Sequence, residues 1–239
     1  MRQKNAILIL EAPWELTKND QNTVSVLPFF EGLERLCGNF DLYHSHFYES
    51  TSFEMALENL TKVKYENTYV YIACHGRGKR LHKMNLRNAL NKINQKAQSH
   101  NIVGVVLGAC LVGNNTDIFS EFMKGSSITW KFGYKCVVNW FHGTMMDLAV
   151  FKELLTLSDD DLSSNDDILN QFRNVTYNYD PRGSIGCEIK YDEKGNEILT
   201  PIATSVSLSL VIQSKGKGKL PQDCSNLLFD ESEELDEVE

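Results

Sequence analysis

Residues 69–113 read YVYIACHGRGKRLHKMNLRNALNKINQKAQSHNIVGVVLGACLVG. Two apolar runs bracket this stretch. Tyr69 to Cys74 is followed at once by His75 and Gly76, and Ile102 to Ala109 by Cys110. Both runs are short, rich in β-branched and aromatic residues, and uncharged, which predicts strands of a parallel sheet buried on both faces. Between them Met84, Leu86, Ala89, Leu90, Ile93 and Ala97 recur at near-helical spacing over Lys83 to Gln98, so the unit reads strand–helix–strand. A right-handed crossover makes the two strands parallel neighbours or near neighbours. Their carboxyl ends then share the sheet edge where open α/β folds bind ligands. His75 and Cys110 meet there, an imidazole beside a thiol, which are the parts of a cysteine nucleophile.

Outward from this unit the pattern repeats. Ala6–Leu10 predicts a buried strand, Val24 to Cys37 a helix stopped by Gly38, and Phe40–His44 a second strand. Thr51, with Glu54 three residues on, predicts a capping box for a helix through Leu60. Alternating strands and helices predict a doubly wound, mostly parallel α/β sheet with flanking helices. Beyond Cys110 a short helix is expected over Thr116–Met123, a strand over Ile128–Phe132, and helices over Thr144–Leu157 and Ile168–Val175. Ile185–Tyr191 and Glu197–Ile202 predict a β-hairpin around Asp192–Asn196. Val206–Ile212 alternates serine with aliphatic residues, as a half-buried strand does. On this reading residues 1–214 form one domain, and 215–239 are a Gly/Lys linker and an acidic tail.

The charge balance narrows the function. The chain has 24 Lys and Arg against 32 Asp and Glu, a net charge of −8. Seven acids fall in residues 230–239, leaving 25 acids against 24 bases elsewhere, a net of −1. That balance predicts no nucleic-acid footprint; the cluster Arg77, Lys79, Arg80 and Lys83 is short. Six cysteines without a C-x-x-C pair suggest reduced thiols in a cytoplasmic protein. The first apolar run is too short for a signal peptide and no run reaches membrane-spanning length, so no membrane partner is expected.

The two strand-end motifs, with "ITWKFGYKCVVNWFHGTMMDLAVFKELL" as a looser third, resemble the caspase-like (clan CD) cysteine peptidases of the bacterial CHAT type. The resemblance covers roughly residues 65–155. Gly108 stands where the caspase signature has Gln, and two residues rather than one separate Cys110 from Gly113. The resemblance implies Cys110 as nucleophile and His75 as base and acid. It further implies that the N–H groups of Gly76 and Cys110 form the oxyanion hole, with no cofactor. It also implies a protein substrate and a triggered effector role, in some members antiviral. As no sensor domain is apparent, the trigger is expected from a protein partner.

Each assignment has a plainer alternative. Cys110 reads equally as a small buried apolar residue, and His75 as a satisfied strand-end histidine. Asp117 or Asp147 could hold a basic P1 side chain, or be a helix cap or surface acid, and Trp140 could line the pocket or belong to the core. His44, His46, Cys74 and His75 do not have zinc-ligand spacing, so no metal is expected. No Gly-x-Ser-x-Gly, P-loop or calcium-loop pattern is complete. Two other functions compete with the peptidase: an inactive caspase-like binding module, and a thiol amidase acting on small molecules. The last expectation concerns the tail: it serves solubility, or Leu227-Leu228-Phe229 docks on the body or on a partner, with the flanking acids meeting a basic patch such as Arg77, Lys79 and Arg80 and screening the site.

Overall fold

A computed structural model describes residues 4–14 and 24–229 of the chain. In chain order the strands are β1 (Asn5–Glu11), β2 (Phe40–His46), β3 (Asn67–Ala73), β4 (Gly76–Arg77), β5 (Arg80–Leu81), β6 (Met84–Asn85), β7 (Ile102–Gly108), β8 (Trp130–Tyr134), β9 (Val137–Val138), β10 (Gly186–Tyr191), β11 (Glu197–Ile202), β12 (Leu208–Ile212) and β13 (Gln222–Asp223). The helices are α1 (Leu27–Cys37), α2 (Ser50–Leu60), α3 (Leu86–Ala97), α4 (Thr116–Met123), α5 (Trp140–Leu154), α6 (Asn165–Thr176) and α7 (Thr204–Ser207).

Seven strands form the central sheet in the order β13-β12-β8-β7-β3-β1-β2. β2, β1, β3, β7 and β8 are mutually parallel; β12 and β13 run antiparallel at one side. This is the doubly wound, mostly parallel α/β sheet expected from the alternating pattern. Every residue of β1, β3 and β7 is buried, because helices cover both faces. Ile7, Ile9, Tyr69 and Tyr71 pack with Phe30 of α1, Phe151 of α5 and Phe172 of α6. Leu8, Leu10, Val70 and Ile72 pack with Phe53 of α2, Leu90 of α3 and Phe119 of α4. The period of two along each strand divides the core into these layers.

Several boundaries differ from the expectations, each for a local reason. α2 is capped by Glu49, whose carboxylate accepts from the N–H groups of Thr51 and Ser52, while Ser52 Oγ accepts from the Glu49 N–H. The capping box is therefore reversed in residue type and starts two residues before Thr51. α5 begins at Trp140 rather than Thr144, with Asn139 capping Phe141 and His142. Gly143 is a helix breaker by propensity, yet here it admits close packing: a Cβ would lie 3.0 Å from Val138 Cγ2. β12 is buried on both faces instead of one. Ser209 is inside because α4 and α6 both pack on this strand.

From the sequence the folded body ends at residue 214, but packed chain runs on to Phe229. β13 pairs with β12, and Cys224 and Leu228 are buried in the core. Leu227 and Leu228 sit against α6, where Arg173 Nε donates to Leu227 O and Thr176 Oγ1 to Leu228 O. The segment therefore docks on the body, at α6, and Arg77 of the basic patch pairs with Glu197 of β11. The acidic residues 230–239 lie outside the described residues. Among the described residues no helix is long and apolar enough to cross a membrane.

Candidate active site

β3 and β7 are hydrogen-bonded parallel neighbours, with Ala73 opposite Gly108 at their carboxyl ends. Two residues further along each chain come His75 and Cys110. The backbone holds them close at Gly76, where a Cβ would lie 2.5 Å from Cys110 O and 3.0 Å from Cys110 N. Any side chain at position 76 would force the two strand ends apart, so glycine is required there by contact rather than by φ. The same contact brings the Gly76 and Cys110 main chains together.

Both residues line one cavity of about 380 Å³, which also meets Trp14, Val138, Trp140 and Asp147. It lies at the carboxyl edge of the sheet, beside the point where the order reverses between β1 and β3. Cys110 Sγ lies 3.8 Å from Val138 O. Burial pushes the Cys110 thiol up, and backbone hydrogen bonding at Val138 and at Cys110 itself offsets only part of that. At rest the group is a thiol, so nucleophilic use requires a base.

The His75 ring is held by the main chain of Trp14, with Nε2 2.6 Å from Trp14 O. A carbonyl can only accept, so Nε2 donates to it, and in the neutral ring Nδ1 is the nitrogen with the free lone pair. The Trp14 indole also meets the imidazole edge-on at 5.3 Å and Trp140 at 6.3 Å. Thiol and imidazole thus bond to Val138 and Trp14 rather than to each other. Such bonds commonly tighten only when substrate is bound.

Beneath the strand ends lies Asp147 of α5. It is 1% exposed, and its carboxylate accepts from Tyr71 Oη at 2.7 Å and Tyr134 Oη at 2.6 Å. Burial pushes Asp147 up to about 7 against the opposing effect of the two phenols. Gly108 makes room for this trio: a Cβ there would lie 2.6 Å from the Tyr71 ring and 2.9 Å from Asp147 Oδ2. The Gly108 that departs from the caspase signature thus has a steric cause. Immediately after Cys110, Leu111 has a left-handed backbone with φ 63°. A bulky residue in that region is strained, at about 1–3 kcal/mol. Its N–H donates to Cys136 O at 2.9 Å, which fixes the sharp exit from β7.

The structure thus brings His75, Gly76, Cys110, Trp140 and Asp147 to one place. Asp117 is elsewhere: it is exposed in the first turn of α4, where a negative charge suits the helix dipole. Trp14, Tyr71, Tyr134 and Leu111 were not apparent from sequence. Only Trp14 carried a signal, as an aromatic placed just past the end of the apolar run that becomes β1.

No protein-family model and no curated protein matches the chain. Among solved structures, a secreted C11 cysteine protease from Bacteroides thetaiotaomicron, determined with an irreversible peptide inhibitor, is similar at a TM-score of 0.48 and 8% identity. The alignment covers 88% of this chain and 66% of that one.

Proposed function

We propose that this chain is a cysteine endopeptidase of the caspase-like (clan CD) type, with Cys110 as nucleophile and His75 as its base and acid. The observation that supports this reading most is the shared cavity at the ends of β3 and β7, with the His75 ring fixed through Trp14 O so that Nδ1 is the basic nitrogen. The Cys110 sulfur attacks a peptide carbonyl carbon as its proton passes to His75. The adjacent Gly76 and Cys110 N–H groups receive the oxyanion. The C–N bond then breaks, His75 delivers the proton to the leaving amine, and water hydrolyses the thioester.

Asp147 gives this reaction a substrate preference. A carboxyl kept near neutrality by burial, with only phenols as partners, gains most from an incoming cation. The cavity therefore suits a Lys or Arg side chain at P1, with Trp140 in its wall. The motif resemblance supports the CHAT type, hence a triggered bacterial effector released by a protein partner. All six cysteines are free, which fits a reducing compartment such as the cytoplasm. The thiol amidase reading is favoured by the cavity size, which falls in the roughly 300–1,000 Å³ range of small-molecule sites.

The test is incubation of the wild type, Cys110→Ala and His75→Ala with the proteins encoded beside its gene, with mass spectrometry of new termini. New termini after Lys or Arg are expected, with losses on the order of 10³-fold or more in each variant and no further loss in the double variant. Wild-type cleavage by Cys110→Ala would place the nucleophile elsewhere. Turnover of small amides, without new protein termini, would favour the amidase.

A further inference from the structure

Trp14 connects the cavity to a second cluster. The Trp14 indole N–H donates to Glu11 Oε1 at 2.8 Å. Glu11 ends β1, and in the register with β2 it stands opposite His46. His44 is two residues before His46 on the same strand, so both imidazoles project from one face. His44 Nε2 lies 2.9 Å from Glu11 Oε2, and the two histidine rings meet edge-on at 4.7 Å. One ligand atom from each of Glu11, His44 and His46 lies within 4.8 Å of the others. Exposure grades outward, from 1% for the Glu11 side chain through 15% for His44 to an exposed His46.

We propose that Glu11, His44 and His46 form a binding site for a divalent transition metal ion of zinc type. Two imidazoles and one carboxylate are the donor set for a borderline ion, whereas calcium and magnesium take oxygen alone. Three protein ligands leave a fourth tetrahedral position for water. With metal–ligand bonds of about 2.1 Å, tetrahedral donors stand about 3.4 Å apart. To admit the ion, the His44–Glu11 pair at 2.9 Å needs to open by about half an ångström, and a pair as wide as 4.8 Å to close by about 1.4 Å.

The oxygens of Glu11 divide the work. Oε2 faces His44 and Ser25 Oγ, while Oε1 accepts from the Trp14 indole and the Val26 N–H. An ion on Oε2 leaves the Oε1 bonds intact and fixes the carboxylate that orients Trp14, whose carbonyl holds His75. The site is therefore a positioning device for the imidazole. That consequence rests on the peptidase reading; the binding itself does not.

The experiment titrates full-length Cys110→Ala protein with Zn²⁺ against a chromophoric chelator, which removes the cavity thiol from the count. One ion per chain is expected, with affinity reduced at least about tenfold in His46→Ala and again in His46→Asn. Both substitutions fall on an exposed side chain, and denaturation in excess chelator should match the parent. Zn²⁺ should raise the Tm of the parent and not of these variants. Bound Co²⁺ should show d–d bands without thiolate charge transfer. Absence of one-to-one binding, parental affinity in both His46 variants, or a thiolate band would overturn the assignment.

Discussion

Glu11 and Asp147 are buried to the same depth, 1% exposed each, yet their carboxyl groups are shifted in opposite directions. Glu11 receives the Trp14 indole, the Ser25 hydroxyl, the Val26 N–H and His44. Among the described residues Asp147 receives only the phenols of Tyr71 and Tyr134. Desolvation is the largest single influence on both, so burial alone does not decide the charge. The number and kind of donors does. Glu11 is a saturated anion that organises β1, α1 and Trp14. Asp147 is held between its charged and neutral forms, facing a cavity.

The largest effect should come from the saturated partner. Glu11→Leu leaves the Trp14 indole N–H and Val26 N–H without an acceptor and should cost about 3–5 kcal/mol in denaturant unfolding. A loss under about 1 kcal/mol would mean the network re-forms with water and Glu11 is no hub. The pH dependence should differ in sign. The folded Glu11 lies below its ordinary 4.5, so its stabilisation is present above that value and lost as pH falls through the folded one. The folded Asp147 lies near 7 against an ordinary 3.8. Between those values the folded state keeps a proton that the unfolded state has released. Stability from this group therefore declines as pH rises from 3.8 to about 7 and is level above.

Asp147→Asn sharpens the contrast next. It should flatten that decline in pH-dependent unfolding while lowering cleavage after Lys or Arg by about 10²-fold. An unchanged P1 profile would remove Asp147 from recognition and leave it a core carboxyl. The smallest effect is expected from Tyr71→Phe, at about 1 kcal/mol of stability. It removes one of the two donors, so the Asp147 carboxyl should titrate still higher by carbon-detected NMR. A downward movement would contradict the role given to the phenols.

These contrasts also mark what the sequence discloses. β3 and β7 were legible because runs buried on both faces are nearly all apolar, and their ends delivered His75 and Cys110 without further information. Asp147 was legible only as a candidate, since nothing in its own helix distinguishes a cavity floor from a cap. Asp117 looked equivalent and lies on the surface. Glu11 carried no signal in the sequence, because its partners Ser25, Val26 and His44 are brought to it by sheet register and loop path. Docking by Leu227-Leu228-Phe229 was expected, but neither its place on α6 nor the strand at 222–223 was, for a different reason. A two-residue strand and two buried side chains, Cys224 and Leu228, are too short a pattern to stand out after a Gly/Lys stretch.

The cavity takes Trp14, His75, Cys110 and Asp147 from four separate stretches, the last of them in α5. On the ribosome these stretches emerge in order, and domains fold as units once their parts are available. A nascent chain that has released His75 and Cys110 still lacks β8, the Val138 carbonyl and the α5 wall. The pocket around the thiol is assembled only after α5 has been synthesised. The order of the chain thus sets when the cavity can close around Cys110.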